Sequence, residues 1–292
     1  MKLARIIPTL LLLTTVGLAA CSPSPTNETA NSMAVTVSIL PEKYFVERIG
    51  GDFVSVNVMV GPSDSPHTYE PKPEQMAALN RSAVYFRIGV EFENAWLDRI
   101  TSANPDMKIV DLSAGIDKLP MLAHEGESST EGELDPHVWT SPQLVKSMAE
   151  QIYAQLAGLD LANEKFYRSN LDSFRKEIDA LDKEIQSSLS GLQNRRFMVF
   201  HPAWAYFARD YNLEEIPIEI GGTEPSASEL AKLIDTAKAE NIHVIFAQPE
   251  FSTRIAKYIA QEIDGEVVLI SNLTENWPKN LRQVAQTIKK SL

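Results

Sequence analysis

The chain has 292 residues, of which 44% are hydrophobic and 23% are charged, and its formal net charge is −12. This composition excludes a disordered or fibrous protein, and the length is sufficient for two domains. The negative charge argues against nucleic acid as a partner, because proteins bind phosphate backbones through Lys and Arg.

An export signal is predicted at the N-terminus, over residues 1–20. Lys2 and Arg5 precede an apolar run that is too short for a stable membrane-spanning helix. The run ends at Cys21, and because Cys21 is the single cysteine, an internal disulfide is excluded. The residues around Cys21 resemble a bacterial lipobox, which implies cleavage before Cys21 and lipidation of its thiol; an ordinary signal peptide is the alternative. Residues 21–33 are predicted to be a flexible tether that holds the protein at a membrane surface.

Strand-like and helix-like segments alternate from residue 34 to residue 160. Strands are predicted near residues 35–39, 54–60, 83–88 and 108–112, and helices near residues 41–49, 73–80 and 92–101. Ser141 offers an N-cap and Pro142 suits a first helical turn, so a further helix is expected to begin there. This alternation predicts a lobe built on a parallel sheet that is covered by helices.

Residues 121–134 interrupt the alternation. This segment is rich in Glu, Gly and Ser and has no apolar periodicity, so we expect an exposed, mobile loop. Its single histidine, His124, is expected to be exposed to solvent, and a transient role as a metal ligand is the alternative.

A long helix is predicted over residues 161–190. The segment lacks Gly and Pro, and its apolar residues recur in steps of three and four. At ~1.5 Å per residue such a helix is about 45 Å long, which is enough to span a whole molecule. Two interpretations remain open at this point: an ordinary surface helix, or a helix that joins two lobes. The apolar positions are Phe166, Phe174, Ile178, Leu181, Ile185 and Leu189.

The alternation resumes over residues 191–292. Strands are predicted near residues 196–200, 215–220, 243–248 and 267–270, and helices near residues 203–211, 230–240 and 252–263 and from about residue 279. Ser226 and Glu229 form a capping box before the second of these helices. The predicted fold is therefore α/β, with two parallel-sheet lobes joined by one long helix. The sequence contains no Gly-rich phosphate loop, no Gly-x-Ser-x-Gly elbow and no paired Cys motif.

Three of the five histidines stand beside prolines, as Pro66-His67, Pro136-His137 and His201-Pro202. Proline excludes its neighbours from helix interiors, so these imidazoles should project from stiff loops. Ligands of open parallel sheets bind outside the carboxyl ends of the strands, and three imidazoles suit a zinc-type ion. We therefore predict a metal site between the lobes formed by His67, His137 and His201, with hydrogen-bonded loop histidines as the alternative. His243 is predicted to be structural, inside an apolar strand.

Four segments, taken in order and spacing, resemble the metal-binding solute receptors of bacterial ABC transporters, the ZnuA-like and TroA-like group. They are Pro66-His67-Thr68-Tyr69-Glu70-Pro71, Asp135-Pro136-His137-Val138-Trp139, Phe200-His201-Pro202-Ala203-Trp204-Ala205-Tyr206-Phe207 and Gly222-Thr223-Glu224-Pro225-Ser226. The resemblance covers the chain from about residue 35 onwards. It implies two α/β lobes joined by a rigid helix, a divalent transition metal in the cleft, and delivery to the permease and ATPase of a transporter. The three histidines fall on the family's ligand positions.

Two features depart from the family pattern. The fourth ligand is usually an Asp after the last strand, where this chain has Ser271, so a water, Glu250 or Asn272 could complete the site. We expect the missing carboxylate to remove one source of charge compensation, so that binding is weaker than in a site with an anionic fourth ligand. The second departure is the loop 121–134, which is rich in histidine in many zinc receptors and is rich in glutamate here.

The ligand set favours Zn²⁺ as the metal. In manganese relatives the position of His201 is typically a carboxylate, and hard ions prefer oxygen ligands, so Mn²⁺ or Fe²⁺ is the less favoured alternative. Asp135 and Glu70 could accept hydrogen bonds from the imidazole N–H groups, or they could cap turns or stay solvated. Because the long helix lacks Gly and Pro, metal binding is expected to produce small tilts of the lobes and ordering of loops.

Catalysis is the rival class of function. A secreted zinc hydrolase would hold zinc with three histidines and would need a base, for which Glu250 or Asp135 could serve. The His-Glu-x-x-His motif is absent, however, and a lipid tether suits delivery, so we expect a non-enzymatic, monomeric receptor outside the cytoplasm that binds its metal with high affinity. A surface adhesin is a third class, but such a protein would not need three convergent imidazoles.

Overall fold

Two four-stranded parallel sheets form the frame of the protein. The computed structural model describes residues 32–121, 134–220 and 223–292. The first sheet contains β1 (Met33–Val37), β2 (Val54–Val58), β3 (Val84–Arg87) and β4 (Lys108–Asp111), in the order β2-β1-β3-β4. Val35 in the centre pairs with Val56 on one side and Val84 on the other. The predicted signal segment with Cys21, the tether up to residue 31, and most of the loop 121–134 with His124 lie outside the described residues.

The second sheet repeats the topology of the first. It contains β5 (Arg196–Val199), β6 (Glu214–Pro217), β7 (Val244–Ala247) and β8 (Glu266–Leu269), in the order β6-β5-β7-β8. In each sheet the second strand of the chain lies on one side of the first strand, and the third strand lies on its other side. A crevice at the carboxyl ends of the strands is expected at such a point. The α/β class predicted from the sequence is confirmed.

Nine helices are described in these parts of the chain, and they match the predicted segments within a few residues. They are α1 (Leu40–Gly50), α2 (Pro73–Leu79), α3 (Glu91–Ala103), α4 (Pro142–Leu159), α5 (Glu164–Ser188), α6 (Ala205–Asp210), α7 (Ala227–Ala239), α8 (Arg254–Glu262) and α9 (Trp277–Ser291). The predicted N-caps are present: the Ser141 hydroxyl accepts a bond from the Leu144 N–H, and Ser226 and Glu229 form a reciprocal capping box.

The long helix α5 has 25 residues, or about 38 Å, and begins after a short 3-10 turn at Leu161–Asn163. Its buried face packs on α1, α4 and α9, so it contacts helices from both halves of the chain. The side chain of Phe166 is 40% exposed, although the periodicity grouped it with the core, and Tyr167 and Leu171 are buried instead. Ion pairs from Arg48, Lys146 and Arg282 reach the exposed side of the helix.

One hydrophobic core runs through the described elements from the first sheet to α9. It contains Val35 and Phe86 of the first sheet, Phe174 of α5, and Phe197 of the second sheet. A smaller cluster lies on the other face of the second sheet. Ser32–Leu292 therefore form one compact unit, and the predicted lobe boundaries 34–160, 161–190 and 191–292 stay a prediction. Within the described residues no helix combines the length and apolar character that crossing a membrane requires.

Candidate metal centre

The three proline-flanked histidines meet between the carboxyl ends of the two sheets. His67 lies in the loop after β2, His137 precedes the 3-10 turn that leads to α4, and His201 follows β5. The Nε2 atom of His201 lies 3.1 Å from that of His67 and 3.4 Å from that of His137. Among the described residues, these three form the group of His, Cys, Asp or Glu side chains whose ligand atoms all lie within 4.8 Å of one another.

The spacing of the nitrogen atoms suits a tetrahedral metal ion. Zinc–nitrogen bonds are about 2.0–2.1 Å long, so two imidazole nitrogens on a tetrahedral zinc ion are about 3.3–3.4 Å apart. The observed separations of 3.1 and 3.4 Å bracket this value. Unprotonated nitrogen lone pairs repel each other at such distances, and a cation between them removes that repulsion. The geometry therefore fits a site for a small divalent cation.

A carboxylate contacts the Nδ1 atom of each imidazole. The pairs are Glu91 with His67 at 3.1 Å, Asp135 with His137 at 2.7 Å, and Glu219 with His201 at 3.4 Å. Since a carboxylate accepts hydrogen bonds, Nδ1 carries the proton and the Nε2 lone pair faces the common centre. The three carboxylates therefore place negative charge around the imidazoles, and the weaker binding expected from the missing Asp at position 271 stays a prediction.

Of these three carboxylates, only that of Asp135 was named as a candidate from the sequence. Its Oδ1 also accepts the backbone N–H of His137 at 2.8 Å. The second candidate, Glu70, is exposed to solvent, and Glu91 takes the place beside His67. Glu91 and Glu219 follow β3 and β6, at the same sheet edges as the histidines, and this shared position is the signal that could have identified them.

Burial and neighbouring carboxylates shift the pKa values of His67 and His201 in opposite directions. Burial lowers the pKa of His67, but the hydrogen bond and charge of Glu91 outweigh burial, and the pKa rises above its usual value. Burial raises the pKa of Glu91, yet the contact with His67 outweighs it and brings the pKa to about 2. Burial lowers the pKa of His201 to about 4, because the bond to Glu219 only partly opposes it. His67 is therefore more easily protonated than His201.

Buried side chains hold the His201 loop in place. Gln248 is fully buried; its side-chain oxygen accepts the His201 N–H at 3.3 Å, and its amide donates to the His201 carbonyl at 2.7 Å. The Glu215 carboxylate accepts the backbone N–H groups of Ala203 and Trp204, and burial raises its pKa well above the usual value. The ring of Phe251 stacks on the His201 imidazole with centroids 4.6 Å apart. The imidazole is thus held from its backbone and from one face.

Two indole hydrogen bonds join the His137 loop to the C-terminal half of the chain. Trp139 donates from Nε1 to the carbonyl of Asn272 at 2.8 Å, and Trp277 donates to the carbonyl of Trp139 at the same distance. The Tyr206 hydroxyl donates to the carbonyl of Asp135 at 2.7 Å. Hydrogen bonds between buried groups therefore join the His137 loop directly to the C-terminal half of the chain.

The imidazoles border a narrow cleft with room for about one ion or water molecule. Its lining includes Glu250, Phe251, Asn272 and Leu273 in addition to the histidines. The hydroxyl of Ser271 donates to Oε1 of Glu250 at 3.2 Å. Of the candidates for a fourth ligand, Glu250 and Asn272 border the cleft, and Ser271 contacts Glu250.

His243 does not take the predicted place inside a strand. The strand β7 begins one residue later, at Val244, and the His243 side chain is exposed to solvent. Its Nδ1 atom lies 3.3 Å from the carbonyl oxygen of Ile263. The predicted position inside the strand is therefore wrong by one residue, and His243 lies outside the group of three histidines.

Comparison with known proteins gives a consistent set of relatives. Residues 35–291 match the family model of ZnuA, the periplasmic component A of a zinc-uptake complex. The high-affinity zinc uptake protein ZnuA of Bacillus subtilis is 30% identical over 272 residues, which are 87% of this chain and 84% of that protein. A manganese ABC transporter substrate-binding lipoprotein, PsaA of Streptococcus anginosus, is 24% identical over 86% of this chain and 84% of its own. A crystal structure of a ZnuA protein superposes with a TM-score of 0.85 at 47% identity, over 89% of this chain and 99% of the other.

Proposed function

Because this chain belongs to the ZnuA family of periplasmic zinc-uptake components, we propose that it captures Zn²⁺ outside the cytoplasm and delivers it to an ABC transporter. The observation that supports this most directly is the convergence of three imidazole Nε2 atoms at 3.1 and 3.4 Å. In this proposal His67, His137 and His201 are the ligands of the transported ion. Glu91, Asp135 and Glu219 orient the imidazoles and offset the charge of the cation.

Manganese is the competing cargo, since one relative is named as a manganese receptor. Neutral imidazole nitrogens favour zinc, whereas Mn²⁺ prefers carboxylate and carbonyl oxygens. In this site the carboxylates contact Nδ1, on the far side of each ring from the common centre. The chemistry of the ligand set therefore supports Zn²⁺ over Mn²⁺ and Fe²⁺.

Binding and delivery suit the site better than hydrolysis. The relatives named above are uptake and substrate-binding proteins. A hydrolytic zinc site needs an open position with a carboxylate base free to take a proton. Of the two bases considered, Asp135 already accepts from both the backbone and the ring of His137, and Glu250 borders the cleft, so the choice against hydrolysis rests mainly on the relatives. We therefore propose a non-enzymatic receptor.

The remaining assignments concern location and partners. A lipid on Cys21 would hold the receptor at the outer face of a bacterial membrane, as in the relatives that are named lipoproteins. Its partners would be the permease and the ATPase of the transporter, and the receptor would act as a monomer. Mass spectrometry of protein from the membrane fraction tests the first point, because thioether-linked lipid adds a defined mass to the peptide that begins at Cys21.

Metal-stripped protein is expected to bind Zn²⁺ with a stoichiometry close to one per chain at neutral pH. Isothermal titration calorimetry measures this directly, and elemental analysis of protein purified without added metal shows which ion it carries. A titration with Mn²⁺ serves as the comparison and is expected to give weaker binding. The absence of zinc uptake by correctly folded, metal-stripped protein would contradict the proposed function.

Zinc affinity is expected to fall at least about twentyfold between pH 7 and pH 5, because protons compete for the imidazole nitrogens. Because the pKa of His67 is raised and that of His201 is lowered, His67 protonates before His201 as the pH falls. His201, with a pKa of about 4, stays neutral across this range and contributes little to the loss. Competition with a chelator of known affinity at each pH gives the profile.

The variant Glu91→Gln tests the origin of this pH dependence. Removing the carboxylate removes the interaction that raises the pKa of His67, so the fall in affinity should begin at a lower pH. Identical pH profiles for the variant and the unmodified protein would show that Glu91 does not control the protonation of His67.

A further inference from the structure

The fourth coordination position lacks an obvious protein ligand. Tetrahedral zinc takes four donors, and the three imidazoles supply three. The carboxylates of Glu91, Asp135 and Glu219 are engaged at Nδ1, on the outer sides of the rings. Besides Glu91, which contacts His67, and Trp139, whose indole donates to Asn272, the polar side chains on the wall of the cleft belong to Glu250 and Asn272.

Glu250 lies in a segment that encloses His201. Gln248, two residues earlier, clamps the backbone of His201, and Phe251, the next residue, stacks on its ring. Glu250 lines the same cleft as the three imidazoles. The chain after β7 therefore brings a carboxylate to the open side of the site.

The two oxygens of Glu250 have different surroundings. Oε1 accepts a hydrogen bond from the Ser271 hydroxyl at 3.2 Å. Oε2 is buried and has no hydrogen-bond partner among the described residues. A few buried side-chain atoms in the described part of the chain have no hydrogen-bond partner, and among their residues Glu250 is the one that borders the cleft. A buried, unpartnered carboxylate oxygen is unfavourable unless it takes up a proton or a cation lies beside it, and burial raises the pKa of Glu250; a zinc ion in the cleft would supply the cation.

We infer that Glu250 is the anionic fourth ligand of the zinc ion, through Oε2, and that Ser271 positions it by binding Oε1. This inference rests on the proposed function. The Glu250 carboxylate is outside the group of ligand atoms within 4.8 Å of one another, so it moves inward when the ion binds. The negative charge that position 271 lacks is thus supplied from a different loop. Asn272 offers only a neutral amide, and its backbone carbonyl already accepts the indole N–H of Trp139.

The test compares zinc affinities of the full chain and matched variants by chelator competition at pH 7. Glu250→Gln keeps the shape of the side chain and removes its charge, and it should weaken binding at least about tenfold. Asn272→Ala should change the affinity by less than about threefold. Because Ser271 contacts Glu250, an aspartate at position 271 should place a carboxylate in the same region. The double variant Glu250→Gln/Ser271→Asp should therefore recover affinity.

A zinc-bound crystal structure gives a readout that does not depend on the variants. Oε2 of Glu250 is expected at about 2.0–2.2 Å from the ion. A water or the Asn272 side chain at that position, or an unchanged affinity in Glu250→Gln, would overturn the inference while the zinc-binding function stands. Failure of the unmodified protein to bind zinc would instead refute the proposed function itself.

Discussion

Replacing His201 with alanine is expected to weaken Zn²⁺ binding at least about a hundredfold. Loss of a carboxylate that only orients a ligand typically costs 10–100-fold, and loss of the ligand itself should cost at least as much. His201 also stands centrally, since its Nε2 is the atom that approaches those of both His67 and His137. Calorimetry or chelator competition on folded protein measures the change.

His243→Ala is the matched control for this variant. It removes the same imidazole from an exposed position outside the cleft, so zinc affinity should not change. Ser271→Ala should have a smaller effect than His201→Ala, since the Ser271 hydroxyl contacts Glu250. Equal losses from His201→Ala and His243→Ala would mean that the three-histidine site is not where zinc binds.

Phe174→Ala is expected to lower the free energy of unfolding by about 3–5 kcal/mol. Phe174 is 1% exposed, and its ring contacts those of Tyr44, Phe45 and Trp277. These contacts join α5 to α1 and α9, so the alanine leaves a cavity where three helices meet. Urea unfolding followed by circular dichroism gives the difference directly.

The control for this second variant lies on the same helix. Phe166 is 40% exposed and contacts Phe53 and Tyr167 at the edge of the core, so Phe166→Ala should cost clearly less than Phe174→Ala. Equal losses of stability would show that the buried face of α5 does not carry the packing described above.

Periodicity explains why the elements were predictable. Apolar residues recur in steps of three and four along α5 because that helix buries one face, and valines alternate along β1, where Thr36 between them is buried as well. The caps at Ser141 and Ser226 depend on residues close in sequence, and they were predicted correctly. Phe166 was grouped with the core by its spacing, but its side chain is 40% exposed because it lies at the edge of the buried stripe of the helix.

The candidate site was only partly predictable for a related reason. Proline neighbours placed His67, His137 and His201 in loops, and the structure brings these three side chains together. Glu91 and Glu219 were missed, because their contacts with His67 and His201 depend on which strands lie side by side. Asp135 and Glu70 were both named as possible acceptors because each lies close to a histidine in sequence; Asp135 contacts His137, whereas Glu70 is exposed, as the alternative of a solvated side chain predicts.

The carboxylates at Nδ1 also have a kinetic consequence for the proposed receptor. With the tautomer of each imidazole fixed in advance, the nitrogen lone pairs face the centre before the ion arrives, and the imidazoles themselves need little reorganisation on capture. Association should then be limited mainly by diffusion and by loss of water from the ion. Dissociation of the ion is then expected to be the slower step.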